Sequence, residues 1–212
     1  MTFKKINDHQ AELHQPARPN FHVESTTRFN LCAPWYLDLD FRWKPHQHLH
    51  ERGWFGCFWA SYINGPAYKS LYFSGGLSKV ESLWMQFCTQ AHNDESTVLA
   101  HGDDFELTWE EGTHDALFKN FSRMRYAKPL YYGNVDWLVY IMMFKPGNGI
   151  RMTHSPSGGT NQAAKTTNPA WDWQFIVPKY EVAQEYSYQA RVVLRPSCPR
   201  EEILAEYEKW TG

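Results

Sequence analysis

The sequence lacks an excess of basic residues. Its 21 lysines and arginines are matched by 23 aspartates and glutamates, which leaves a formal net charge of -2. Proteins that bind nucleic acid neutralise phosphates with a basic patch or stripe, and no such run is present. The composition therefore argues against a nucleic-acid partner.

The cysteines form no Cys-x-x-Cys pair. Cys32, Cys57, Cys88 and Cys198 are widely spaced, and this excludes a zinc ribbon and a thioredoxin-type redox motif. We expect free thiols.

Long apolar runs are also missing. The longest, residues 137–144, is eight residues long, whereas a membrane-spanning helix needs about 20. The lysines near the N-terminus are not followed by the apolar core of a secretory signal. We therefore expect a soluble protein with no membrane partner, located in the cytoplasm unless a leader has been removed.

Two common catalytic signatures are absent. The segment Ser157-Gly-Gly-Thr160 has the glycines of a flexible loop but not the Gly-Lys-Ser/Thr of a phosphate-binding loop. There is no Gly-x-Ser-x-Gly nucleophile elbow. Nucleotide binding and that type of serine hydrolase are disfavoured.

Aromatic residues are abundant, at 17% of the chain with 10 tryptophans. Tyrosine and tryptophan have large apolar faces and a polar group, which suits stacking on a sugar ring. The same residues are favoured in strands, so an aromatic β-sheet core explains most single tryptophans equally well. Both interpretations stay open at this stage.

The alternation of apolar and polar residues predicts strands through most of the chain. A chain of 212 residues is long enough for one well-buried domain. We predict an all-β fold, an antiparallel β-sandwich or jelly roll with a short C-terminal helix at residues 200–210, and a domain at 29–212 preceded by an extension at 1–28. The predicted strands lie at 36–43, 55–63, 69–73, 104–110, 137–144, 150–154, 171–177 and 186–194, and 81–90 is either a strand, which we favour, or a helix.

Three alternate histidines, His46, His48 and His50, would share one face of a strand. Neighbouring members could bind one metal, but His46 and His50 would be roughly 13 Å apart unless the chain bends. A cupin would place a glutamate four or five residues after a His-x-His pair, and the sequence does not. Divalent metal binding, a hydrogen-bonded loop and metal-free catalysis all remain open.

Cations and phenols are clustered between Arg123 and Gly133. Arg125, like Arg52, could neutralise the carboxylate of a sugar acid, while a tyrosine or histidine moves a proton. An ordinary charged surface loop explains the cluster as well. The candidate acid or base groups are His48, Tyr62, Tyr132 and His154.

A further pattern runs through 171–174. Trp171 and Trp173 would lie on one strand face as stacking surfaces, and Asp172 and Gln174 on the other, where they could hold sugar hydroxyls or form the solvated face of an edge strand. We add Asn64 as a substrate-binding candidate. Asp104 and Glu106 would be about 6.6 Å apart on a strand, near the carboxylate spacing of inverting glycosidases, although a charged solvent face is the commoner meaning.

Three motifs carry a resemblance to a known family: Phe58-Trp-Ala-Ser-Tyr-Ile-Asn64, Ser155-Pro-Ser-Gly-Gly159 and Pro169-Ala-Trp-Asp-Trp-Gln-Phe175. Over residues 29–210 the chain resembles a family of functionally uncharacterised bacterial β-sandwich proteins, seen in planctomycete-like genomes. The resemblance implies that the polar motifs belong to one site.

The sequence favours a carbohydrate-active enzyme that acts on a glycan or sugar acid by lyase or hydrolase chemistry. The alternatives are a noncatalytic glycan-binding module and a metal-dependent enzyme that uses the His46, His48 and His50 cluster. The expected partner is a carbohydrate, and exposed edge strands would also allow a homodimer.

Overall fold

The computed structural model describes residues 1–49, 53–77, 83–91, 94–109, 111–112 and 119–212. These residues form strands and one helix. The strands are β1 (Thr2–Lys5), β2 (Gln10–Gln15), β3 (Val23–Cys32), β4 (Tyr36–Pro45), β5 (Phe55–Trp59), β6 (Leu71–Leu77), β7 (Leu83–Phe87), β8 (Thr97–Ala100), β9 (Phe121–Tyr126), β10 (Leu130–Val135), β11 (Leu138–Phe144), β12 (Ile150–Ser155), β13 (Thr160–Asn161), β14 (Thr166–Thr167), β15 (Ala170–Val177) and β16 (Tyr186–Pro196).

Hydrogen bonds join the strands in the order β1-β2-β3-β4-β16-β11-β10-β6-β9-β8-β12-β15-β5, with β7 also on β6 and with β13 and β14 forming a separate pair. All named pairs are antiparallel except β8 with β9. The first layer consists of β1, β2, β3, β4, β16, β11, β10 and β6, together with β7 beside β6. The second layer consists of β9, β8, β12, β15 and β5.

The two layers pack face to face through aromatic rings. Trp173 of the second layer lies 4.9 Å from Phe144 and 4.8 Å from Tyr188 of the first, measured between ring centroids. Trp43 and Phe55 make a similar contact at 4.3 Å. These contacts confirm the predicted antiparallel sandwich, and its core is the aromatic-rich space between the layers.

A helix, α1 (Arg200–Thr211), covers the outer face of the first layer. Its buried residues Ile203 and Tyr207 pack with Ile141 of β11 and Val193 of β16. The predicted C-terminal helix is therefore confirmed. Among the described residues, no helix is long and apolar enough to cross a membrane.

The N-terminal residues belong to the first layer. β1 pairs with β2, and β2 pairs with β3 along its length. The predicted division at residue 28 falls within β3, so the extension and the domain share a continuous strand.

Two stretches differ from the prediction. Residues 104–109 form no strand despite their alternation, because their backbone pairs with no neighbouring strand, and Glu110 lies outside the described residues. Conversely, the cation and tyrosine cluster, for which a charged surface loop was one of two explanations, forms β9 and β10, each paired with β6 in the middle of the sheet.

Candidate functional site

The candidate site lies on the outer face of the second layer. Alternate residues of β12 and β15 point into the core, and the residues between them point outward: Arg151, Thr153, Asp172 and Gln174. Asp172 is directly opposite Thr153, and Gln174 is directly opposite Arg151. We call these four side chains the outer polar face. Each is at most 2% exposed, which is unusual for polar groups on the outside of a sandwich.

Asp172 is held by a backbone group of the neighbouring chain segment. Its Oδ1 accepts a hydrogen bond of 2.6 Å from the backbone N–H of Ser61. Burial raises the pKa of its carboxyl to about 6, and the Ser61 hydrogen bond only partly opposes this effect. Both the protonated and the ionised form are therefore accessible near neutral pH, as a group that moves protons requires.

The amide nitrogen of Gln174 makes a hydrogen bond, whereas its amide oxygen makes none among the described residues. Its Nε2 donates a hydrogen bond of 2.9 Å to Oγ1 of Thr153. Its Oε1 is buried and has no hydrogen-bond partner among the described residues. Buried polar atoms are nearly always paired, so this unpaired acceptor is an unusual feature of the outer polar face.

Arg151 is paired with Asp103. The guanidinium donates from Nε to Oδ2 at 2.8 Å and from Nη2 to Oδ1 at 3.0 Å, and both side chains are buried. Nη1 has no hydrogen-bond partner in the described part of the chain. The ion pair neutralises the charge that the arginine brings to the outer polar face and fixes the segment that begins at Asp103.

That segment, residues 103–109, crosses the second layer from β12 towards the start of β5. Trp54 Nε1 donates a hydrogen bond of 2.7 Å to the carbonyl oxygen of Thr108. The rings of Trp54 and Trp109 pack edge to face, with their centroids 5.2 Å apart. Asp103 at one end and Trp109 at the other hold the segment against the sheet.

An exposed aromatic rim borders the outer polar face. Phe58 lies directly opposite Gln174, and Tyr62 pairs with Ala170, so both rings are on the side of the sheet that carries Asp172. Phe58 is 40% and Tyr62 62% exposed. The small, exposed Ala60 lies between them in the chain, just after β5.

No protein-family model matches the chain, and no curated protein matches it in sequence. Solved structures do match. An aldose epimerase homologue from Caenorhabditis elegans, described as GalM-like, has a TM-score of 0.51 at 6% identity over 93% of this chain and 69% of its own. A candidate aldose 1-epimerase from Escherichia coli K12 has a TM-score of 0.48 at 8% identity over 92% and 68%. The chain shares the fold of an aldose epimerase homologue.

The three motifs that carry the sequence resemblance lie against one another. The Ile63 N–H donates a hydrogen bond of 2.9 Å to the Pro169 carbonyl, and the Trp171 N–H donates one of 2.9 Å to the Ser61 carbonyl. A Cβ on Gly158 would lie 2.1 Å from the Tyr62 ring, so that ring packs directly on the glycine. Asn64 is in the same place, where its Oδ1 accepts a 2.6 Å hydrogen bond from Asn161.

Trp171 and Trp173 lie on the opposite side of β15 from Asp172 and Gln174, as the alternation predicts. Both are 0% exposed in the core between the layers. Trp171 Nε1 donates a hydrogen bond of 3.0 Å to the Lys69 carbonyl. The Trp173 ring stacks on the Trp59 ring, with their centroids 5.6 Å apart. Both indoles are enclosed between the two layers and packed against rings of the first layer, Tyr140 and Phe144, so they are part of the core and not the ligand-stacking surface predicted for them.

His154 also faces the core. Its Nε2 donates a hydrogen bond of 2.7 Å to the Lys69 carbonyl, and its Nδ1 accepts one of 3.2 Å from the backbone N–H of Thr89. Burial lowers the pKa of the imidazole, so the neutral form is favoured. Both ring nitrogens are occupied in this arrangement.

Tyr132 lies on the far side of the first layer, beneath α1. Its hydroxyl accepts a hydrogen bond of 2.8 Å from Arg200 Nε, and its ring stacks on the Tyr72 ring with the centroids 5.0 Å apart. Burial raises the pKa of the phenol. Tyr132 therefore belongs to the helix-covered cluster and not to the outer polar face.

The histidines near residue 48 lie at the end of β4. His46 Nε2 is 3.1 Å from Glu24 Oε2, and the His48 ring is 6.1 Å from the Tyr180 ring. His50 and Arg52 lie outside the described residues. Within the described part of the chain, no group of three or more His, Cys, Asp or Glu side chains is arranged to hold a metal ion.

Arg125 lies on β9, where its Nη1 donates to the backbone carbonyls of Ser122 at 2.7 Å and Met124 at 3.0 Å. The predicted site residues thus occupy several separate places. The structure brings Asp172, Gln174, Tyr62 and Asn64 to one side of the second layer and its edge.

Sequence reasoning missed Arg151, Thr153 and Asp103. A signal for the first two exists, because 150–154 alternates Ile, Arg, Met, Thr and His beside the turn at 146–149. Such alternation normally indicates a solvated outer face, and only the structure shows that these polar side chains are buried.

Proposed function

We propose that the protein is a carbohydrate-active enzyme that binds a sugar at the outer polar face and uses Asp172 to transfer a proton. The observation that carries this proposal is the buried Asp172 carboxyl, with a pKa of about 6, beside the unpartnered Oε1 of Gln174. Perturbed carboxyls of this kind are typical of functional sites.

The aromatic rim supports a sugar as the ligand. Sugar hydroxyls pair with polar side chains, while the C–H face of the ring packs on aromatic surface. Phe58 on β5 and Tyr62, just beyond the end of β5, supply exposed rings, and Asp172 and Gln174 supply polar groups on the neighbouring strand β15, about 4.8 Å from β5.

Anomeric interconversion of an aldose is the reaction that fits best. A base takes the proton of the C1 hydroxyl, the bond between C1 and the ring oxygen breaks, and an acid protonates that oxygen. The open-chain aldehyde then closes on its other face. Asp172 can act in either role near pH 6, and the Tyr62 hydroxyl, on the same side of the sheet, is the partner we propose.

The fold neighbour from Caenorhabditis elegans is an aldose epimerase homologue, which supports this reaction. The lyase and hydrolase reactions expected from the sequence belong to the same wider class of sugar chemistry. Two-carboxylate hydrolysis would need a second available carboxyl on this face. Asp103 is less suited to that role because Arg151 holds both of its oxygens.

A noncatalytic sugar-binding module is the second candidate. The exposure of Phe58 and Tyr62 favours it, because a binding platform needs accessible rings and no proton transfer. The two candidates differ in whether turnover exists at all.

The test is the rate of anomer interconversion, followed by polarimetry or NMR on a panel of freshly dissolved aldoses. Asp172→Asn keeps the shape and the acceptor for the Ser61 N–H but cannot transfer a proton, so it should lose about 100-fold to 10,000-fold in rate. Asp136→Asn makes the same chemical change at an exposed turn and is the matched control. Sugar binding without turnover in the wild type would favour the binding module.

A further inference from the structure

We infer that Tyr62, Asn64 and the hairpin segment 155–168 form a second sugar subsite beside the outer polar face, and that the substrate is the reducing end of an oligosaccharide. This inference rests on the proposed sugar site and adds the substrate class. Unlike the buried side chains of the outer polar face, both Tyr62 and Asn64 are exposed. We call these residues and the segment the hairpin subsite.

The hairpin subsite continues the outer side of the second layer beyond the level of Asp172. The pairing of β5 with β15 continues in register to a bridge between Tyr62 and Ala170. Ala60 therefore lies opposite Asp172. At about 3.3 Å per residue, Tyr62 is roughly 6.6 Å and Asn64 up to roughly 13 Å farther along the chain. A single pyranose ring beside Asp172 does not extend to Asn64, so a ligand that contacts both residues is longer than one sugar.

The ring of Tyr62 is exposed and also fixed in place. It is 62% exposed, and it packs on Gly158, where a Cβ would lie 2.1 Å from Cδ1 of the ring. Gly158 does not have a positive φ, so the ring, and not the backbone conformation, requires a glycine here. An aromatic face that is held before the ligand arrives loses little freedom on binding, and it suits stacking on a sugar ring. The ring face and the hydroxyl are separate groups, so stacking is compatible with the proton transfer proposed for Tyr62.

An amide network holds Asn64 next to this ring. Asn64 Oδ1 accepts a hydrogen bond of 2.6 Å from Asn161 Nδ2, which is also 3.3 Å from Asn168 Oδ1. Asn168 Oδ1 in turn accepts a hydrogen bond of 2.8 Å from the Gly65 N–H. Because its oxygen is occupied, the exposed Asn64 amide presents its nitrogen, which donates to the hydroxyl oxygens of a ligand.

The composition of the hairpin segment indicates the class of ligand. Its strands β13 and β14 pair with each other, and Lys69 Nζ donates a hydrogen bond of 2.8 Å to the Thr167 carbonyl, which ties the hairpin to the chain before β6. Eight of its 14 residues have hydroxyl or amide side chains, and none has a carboxylate. Such a surface suits a hydroxyl-rich chain better than an apolar or a cationic partner.

The experiment compares glucose with cellobiose and maltose, and galactose with galactobiose. Each disaccharide keeps a free anomeric carbon. Affinities are measured at pH 7.5 by titration calorimetry and ligand-observed NMR, and kcat/KM for anomer interconversion is measured on the same sugars. At least one disaccharide should bind at least about fivefold more tightly than its own monosaccharide, because the second sugar adds a stacked ring and a hydrogen bond.

Two variants test the hairpin subsite directly. Asn64→Ala removes the amide and should lower the affinity for that disaccharide by about threefold to tenfold. Gly158→Ala displaces the Tyr62 ring and should reduce the preference for the disaccharide. The matched controls are Asn148→Ala, at another exposed asparagine that precedes a glycine, and Gly147→Ala, where the nearest atom to a Cβ is 3.9 Å away. Both controls should leave sugar binding unchanged.

A preference below about fivefold for every disaccharide, or an unchanged disaccharide affinity in Asn64→Ala, would overturn the inference and leave the proposed enzyme intact as long as the monosaccharide is turned over. Tighter disaccharide binding without any turnover would support the hairpin subsite and overturn the proposed proton transfer instead. Failure of the wild type to bind any of these sugars would overturn both. If Gly158→Ala does not fold, the wild-type preference and the effect of Asn64→Ala decide the matter.

Discussion

Arg151 holds Asp103 through two hydrogen bonds of 2.8 and 3.0 Å on a face of the sheet where neither side chain is exposed to water. The two residues are 48 positions apart in the chain. Their ion pair joins the centre of the second layer to the segment that crosses it, and so helps to exclude water from the outer polar face.

Breaking this pair should be costly. Asp103→Asn leaves the Arg151 charge buried without compensation, and we expect the free energy of unfolding to fall by about 3 to 5 kcal/mol in urea titrations. Replacing both partners, as Asp103→Leu with Arg151→Met, should recover much of that loss. Asp8→Asn, which breaks an exposed pair with Lys5, is the control and should have a far smaller effect because water screens it. Equal losses at the two sites would contradict the account.

Asp172→Asn should stabilise the protein at alkaline pH. Burial raises the pKa of Asp172 from 3.8 to about 6, so the ionised carboxylate disfavours the folded state. The contribution of this raised pKa to stability is present below pH 3.8 and is lost as the pH rises through about 6. The variant should therefore gain up to about 3 kcal/mol over the wild type at pH 8 and nothing at pH 3.5. A difference that does not change with pH would show that Asp172 titrates normally.

His154 should make the fold sensitive to acid. Burial lowers its pKa, so the unfolded state binds a proton more readily than the folded state does. Neutral His154 therefore stabilises the folded state above the ordinary imidazole pKa of about 6.5. This stabilisation is lost as the pH falls through the lower pKa that His154 has in the folded protein. We expect wild type to lose more stability than His154→Gln between pH 7.5 and pH 5. His9→Gln, at an exposed position, should show the wild-type pH dependence.

Gly133 should tolerate no side chain. A Cβ there would lie 2.2 Å from the buried ring of Trp171, which cannot move within the packed core. Gly133→Ala should cost about 1 to 3 kcal/mol in the free energy of unfolding. Gly147→Ala is the control, because the nearest atom to its Cβ is 3.9 Å away. Equal stability of the two variants would show that the core yields at this point.

Much of the fold could be predicted because alternation records which side of a strand is buried. The alternation at 171–177 correctly separates Trp171 and Trp173 from Asp172 and Gln174. It does not say which side faces a partner layer, so the buried indoles were predicted as ligand-stacking surfaces.

Other features depend on contacts between residues distant in sequence. The alternation at 104–110 is as regular as that of a true strand, but no neighbouring strand pairs with residues 104–109. The burial of Arg151 depends on Asp103 and its segment, and nothing in the local pattern encodes it. The candidate site was therefore only partly predictable, through Asp172, Gln174, Tyr62 and Asn64.

The pH dependence of kcat/KM for aldose anomer interconversion tests the central claim most directly. We predict a catalysed rate that changes with an inflection near pH 6, the pKa of Asp172, and that is lost in Asp172→Asn but retained in Asp136→Asn. A rate equal to that of the uncatalysed reaction at every pH, or full activity in Asp172→Asn, would contradict it.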